Sequence, residues 1–266
     1  MRKSGKTNRQ SKMLHSPLPT SYFLLPLFCL LHFLLPPSLS ASIGASGTAA
    51  VCKVFNAASG TVTRTEAAGD TVVVAVAIRT TTSTVSSVSD TGGSNYGSSP
   101  IVAINNSTNA RAELWSTAVG GSTSSTSVTI TLGASSKFVG CVFEYTGVVA
   151  LGNTGTFTGN GNSVVVNVTT QDANNWCTSS AAAQGTGTFS QNVGTLRASA
   201  VTSGGQGSSN VGGALTDNTI ATPGTCSMAP TISTQENNAG VGVELRSTSG
   251  GGAVAKHQLL TLGVGR

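Results

Sequence analysis

The sequence predicts an all-β protein, a two-sheet antiparallel β-sandwich of jelly-roll-like kind, and three observations lead there. Gly, Ser, Thr, Ala, Val and Asn dominate the 266 residues, and charged residues make up 9%, well under the usual quarter. Thr and Val suit pleated strands, while Gly, Asn and Ser suit turns. The segment K-F-V-G-C-V-F-E-Y-T at 137–146 alternates with period two. Val139, Cys141, Phe143 and Tyr145 fall on one face of it, with Gly140, Val142 and Glu144 on the other. Short apolar runs also recur at intervals of roughly ten residues, without a sustained helical period.

Taken in order, residues 1–20 are basic and polar, residues 22–35 are almost wholly apolar, and Pro36-Pro37 and small residues follow. Residues 1–40 therefore read as a secretory leader; the alternatives are an uncleaved anchor or a misassigned start. The apolar run is short for a membrane span, which needs ~20 residues. Expected strands then lie at 50–55, 70–79, 84–89, 110–118, 126–132, 137–146, 163–169 and 176–183. Two short ones flank Gly194 within 189–201, and 226–233 and 239–246 close the domain. The run D-T-V-V-V-A-V-A-I-R at 70–79 is apolar on both faces and reads as a central strand. Residues 203–213 are Gly/Ser-rich and read as an exposed loop. No exact internal repeat is present. The sandwich thus spans 41–247, and 248–266 add a Gly-rich joint and a short apolar tail. That tail suits an edge strand, on its own domain or on a neighbouring copy.

Charge and cysteines bound the function. Arg2, Lys3, Lys6, Arg9 and Lys12 all precede residue 41, where no acid occurs, so the net charge of +5 belongs to the leader region. Beyond it the cations are scattered singly, which gives nucleic acid no clustered basic surface. Cys52, Cys141, Cys177 and Cys226 remain after the leader. An even number in an extracellular body suggests two disulfides, with three possible pairings; Cys52–Cys141 with Cys177–Cys226 is preferred, and free buried thiols are the alternative. No C-x-x-C spacing occurs, and His257 is the only histidine after residue 41, so no metal or cofactor is expected.

Candidate chemistry is sparse. His257 in the tail gives a serine nucleophile no base within the domain, and no G-x-S-x-G elbow is present. Glu144 and Glu244 sit within strands between apolar neighbours and are the candidates for a paired-carboxylate glycosidase; the plainer reading pairs them with Arg246 or Arg79. The turn at 90–95 offers Asp and Asn oxygens to Ca²⁺, or simply caps itself. Trp115 beside Arg111 and Glu113, Tyr96 in a Gly/Asn turn and Trp176 after Asn174-Asn175 are candidate stacking residues for a sugar. The alternative packs both tryptophans beneath the second sheet.

The pieces G-D-T-V-V-V-A-V-A-I-R, V-S-S-V-S-D-T-G-G-S-N-Y, R-A-E-L-W, K-F-V-G-C-V-F-E-Y-T-G and V-G-V-E-L-R, in that order over 69–246, resemble a group of largely uncharacterised secreted bacterial and phage-associated β-sandwich surface modules. The four cysteines depart from that pattern. The resemblance implies surface exposure and carries no functional residues. The expectation is thus a secreted, non-catalytic surface module, structural or adhesive, whose partners are glycans or copies of itself. A self-assembling subunit using the tail and a carboxylate glycosidase are the alternatives.

Overall fold

The computed structural model describes residues 42–80 and 82–247. The expected leader and the expected joint and tail lie outside them. The first half supplies β1 (Gly44–Ala45), β2 (Val51–Glu66), β3 (Thr71–Ile78), β4 (Val85–Asp90), β5 (Val102–Asn106), β6 (Ala110–Ser116) and β7 (Ser125–Thr146). They form one antiparallel sheet in the order β1-β7-β3-β6-β5, with β2 and β4 also paired to β7. The second half supplies β8 (Ala150–Ser163), β9 (Val166–Thr169), β10 (Asn175–Gln184), β11 (Phe189–Val193), β12 (Thr195–Val201), β13 (Val211–Ile220) and β14 (Thr225–Arg246). These run β11-β14-β10-β13-β12, with β8 and β9 also on β14. The protein is an all-β, two-sheet antiparallel sandwich.

The fold repeats although the sequence does not. β7 and β14 are both 22 residues long, lie 100 positions apart and bury nearly the same positions. In each half that long strand pairs with the central strand (β3 or β10), which pairs with β6 or β13, which pairs with the edge strand β5 or β12. The contacts between sheets are reciprocal. β3 faces β10, while β6 faces β14 as β13 faces β7, and β5 faces β8 as β12 faces β2. Reciprocal contacts of this kind are the signature of a two-fold axis, here relating two halves of one chain.

Residues 126–132 and 137–146, expected as two strands, are the two arms of β7, and 226–233 with 239–246 are likewise the arms of β14. A register shift marks the bend: Ala57 opposes Ser136 but Ser59 opposes Thr131, so β7 carries the extra residues of a bulge. Beyond the bend the first arm folds back across the outer face of its own sheet. Val62, Val85, Val88, Val128, Ile130 and Leu132 there pack on Val72, Val74, Val76, Ile78, Trp115, Phe138 and Val142. The face of β7 bearing Gly140 and Val142, expected to lie away from the core, is therefore also buried. An added Cβ at Gly140 would overlap Ile130 Cδ1, and at the equivalent Gly240 it would lie 2.5 Å from Val164 Cγ1. Glycine is needed where flap meets sheet because no side chain fits between them.

Among the described residues three cores result: one under each flap and a shared one between the sheets. Val139, Cys141, Phe143 and Tyr145 enter the shared core, as their alternation predicts, and meet Leu215, Val241, Val243 and Leu245. Small residues let the sheets approach at the centre: an added Cβ on Gly213 would lie 2.7 Å from Val139 Cβ and 2.9 Å from Ala77 Cβ. Two disulfides join Cys52 to Cys141 and Cys177 to Cys226. The first links register partners on β2 and β7. The second ties the flap arm of β14 to β10 beneath it.

Candidate functional site

Glu144 and Glu244 occupy equivalent positions in the two long strands, and both are buried. Glu144 accepts from Ser46 Oγ (2.9 Å), from Arg64 Nη1 (3.4 Å) and from the amide of Ala67 (2.5 Å). Glu244 accepts from the amides of Asn153 (3.2 Å) and Gln171 (2.8 Å) and from Asn175 Nδ2 (2.7 Å). Each glutamate thus holds one backbone N–H of the connection leading into its central strand, Ala67 or Gln171, a repeated structural use. Neither pairs as expected, since Arg246 bonds Asp172 and Arg79 reaches backbone carbonyls. Asp70 stands beside Glu144, and its carboxyl is pushed up by burial first and by the Glu144 charge second. The three residues lie outside the lining of the clefts described below.

The aromatic candidates separate. Trp115 is fully buried under the flap, with Nε1 donating to Glu113 Oε2 at 2.8 Å. Tyr96 is 5% exposed and its hydroxyl donates to Asp90 Oδ2. Arg111 is held by Glu113 (2.5 Å) and Asn105 Oδ1 (2.8 Å). These three do not form a ligand groove. The flap covers the Trp115 face of β6, and Glu113 is satisfied there by Arg111, Trp115 and the amide of Val85. The 90–95 turn caps itself: Asp90 Oδ1 accepts from Ser94 N and Asn95 Oδ1 from Gly97 N. Among the described residues no group of three or more His, Cys, Asp or Glu side chains is placed to hold a metal.

Trp176 is different. It is partly exposed and lines a cleft of about 500 Å³ with Ser42, Ile43, Asn174, Asn175, Thr219 and Ile220. Asn174 reaches it from a left-handed turn (φ 56°) preceding β10. Ser42, Asn174 and Thr219 are exposed and donate no side-chain hydrogen bond among the described residues. The indole meets Tyr145 edge-on, with centroids 6.0 Å apart, and Arg197 lies over its ring at 5.7 Å. Arg197 also lies over Phe143 at 5.2 Å and bonds Asp217 Oδ2 through Nε at 2.6 Å. Tyr145 donates to that same oxygen at 3.0 Å. Burial pushes the Tyr145 phenol well up and raises the Asp217 carboxyl, which Arg197 and the tyrosine hydroxyl oppose. A second cleft of about 280 Å³ lies against Phe143, Leu196, Arg197 and residues 46–50.

This cluster joins the halves, since Phe143 and Tyr145 come from the first and Trp176, Arg197 and Asp217 from the second. It breaks the internal symmetry, because Leu245 and Ser116 stand where the other half has Tyr145 and Asp217. Sequence reasoning missed Arg197 and Asp217. The available signal was that they are the only charged residues between Asp172 and Glu236. Comparison with known protein families, curated proteins and solved structures finds no significant match.

Proposed function

We propose that the chain is a secreted, non-catalytic surface module, structural or adhesive, that holds a glycan in the Trp176 cleft. The carrying observation is a partly exposed indole in a cleft whose free side-chain groups are one amide and two hydroxyls. An aromatic face packs against the apolar side of a pyranose, and neutral donors and acceptors take its hydroxyls. The two disulfides support an oxidising destination. No helix among the described residues is long and apolar enough to cross a membrane. The test is affinity electrophoresis of the exported protein in a panel of soluble polysaccharides. Trp176→Ala is expected to weaken retention about tenfold, the loss of a stacking contact near 1.4 kcal/mol, and Trp176→Phe to restore most of it. No retention of wild type, or undiminished retention of Trp176→Ala, overturns the reading.

A second reading, a self-assembling subunit, is favoured by β8, a 14-residue strand that pairs only with β14 among the described strands. Its free edge suits strand addition by a neighbour's 253–266 tail. Light scattering on the protein with and without residues 248–266 tests this: oligomers lost on truncation support it, and monomers in both refute it.

A further inference from the structure

We infer that the glycan is acidic, and that Arg197 takes a sugar carboxylate on the unused edge of its guanidinium; this rests on the glycan reading above. A guanidinium offers two edges that match a carboxylate, one through Nε and one through the Nη pair. Asp217 occupies the Nε edge at 2.6 Å. The two Nη groups donate to nothing among the described residues. Their plane is fixed before any ligand arrives, because the group lies over both the Phe143 and Trp176 rings and Asp217, 1% exposed, anchors it. The arginine side chain keeps 23% of its exposure and lines the 280 Å³ cleft.

Trp176 lines the larger cleft and Arg197 the smaller one, and the guanidinium lies over the indole at 5.7 Å, so the two side chains that line the separate clefts are in contact with each other. Strand β1 lies between them in sequence, with Ser42 and Ile43 lining one and residues 46–50 the other. The charged side chains around this point are Arg197, Asp217 and, over the Phe143 ring at 5.6 Å, Arg64, which is paired with Glu144. A ligand carboxylate would therefore meet one arginine edge that no protein acid occupies. One sugar ring on the indole with a neighbouring uronate on Arg197 uses both clefts with groups already in place.

The full chain, recovered after export, would be titrated with polygalacturonate, alginate and hyaluronan oligosaccharides, each beside its carboxyl-reduced neutral form. At least one acidic form is expected to bind tenfold or more tighter than its neutral counterpart, with the gap shrinking as salt rises. Arg197→Gln leaves Asp217 buried without a countercharge, held only by the Tyr145 hydroxyl, so the paired variant Arg197→Gln/Asp217→Asn, checked for native circular dichroism, is the safer probe. It should bind the acidic and neutral forms equally, while Trp176→Ala weakens both. Equal affinity of wild type for acidic and neutral forms, or a preference that survives in the paired variant, overturns the inference and leaves the glycan reading standing. Failure of every oligosaccharide to bind overturns both.

Discussion

Glu66 should make the protein less stable as pH rises from acidic to neutral, and replacing it with glutamine should remove that dependence. The side chain closes β2 beneath the flap, is 1% exposed, and neither carboxylate oxygen has a hydrogen-bond partner. Burial first, with Asp90 and Glu144 adding and Arg64 opposing, raises its pKa from 4.5 to about 7. The unfolded chain releases this proton above its ordinary pKa, whereas the folded protein keeps it until about 7. The contribution of Glu66 is thus fully present below the unfolded value and is lost as pH rises through the folded one. Each pH unit between the two costs about 1.4 kcal/mol, which sums to about 3 kcal/mol by pH 8. Urea unfolding of wild type and Glu66→Gln from pH 4 to 8 measures it. The variant should match wild type at pH 4 and exceed it by about 2–3 kcal/mol at pH 8. Parallel pH profiles, or a glutamine variant that is less stable at pH 8, would refute the reasoning.

Other consequences follow from the packing. Reducing the Cys52–Cys141 and Cys177–Cys226 bonds, which close spans of 89 and 49 residues, should cost about 4 kcal/mol each from loop entropy; unchanged denaturant midpoints in reductant would contradict this. Gly140→Ala and Gly240→Ala should each cost about 1–3 kcal/mol by wedging flap from sheet, read by thermal unfolding. Lys137 bonds Ser203 O, Gly204 O, Ser209 Oγ and Asn210 Oδ1, pinning the 202–210 loop of the second half to the first. Lys137→Met should therefore speed limited proteolysis at that loop by about tenfold, without lowering the global melting temperature by more than a few degrees.

Much of the fold was legible from local pattern. The alternation at 137–146 fixed which side chains enter the shared core, because a strand places every second residue on one face. The pair of short strands around Gly194 also appears as read; that glycine takes φ +80°, a conformation that ends one strand and starts the next. β8 was missed, because L-G-N-T-G-T-F-T-G-N-G-N has almost no apolar alternation; it exists through its ladder to β14. In the sequence Trp115 reads as a candidate ligand contact because Arg111 and Glu113 share its face. Nothing in seven residues reveals that a strand 125 residues into the chain folds back to cover that face.

By itself the sequence determined the strand-forming backbone, the neutral surface chemistry, the cysteine supply and the small residues where sheets touch, since these depend on residue type and period. Tertiary structure decided the rest: the bends that give each long strand two arms, the two-fold relation of halves that share few residues beyond pairs such as Gly140/Gly240 and Glu144/Glu244, and the meeting of Tyr145, Trp176, Arg197 and Asp217 at one seam. Those are outcomes of which surfaces cover which, and residues tens of positions apart become neighbours only once the two sheets have closed on each other.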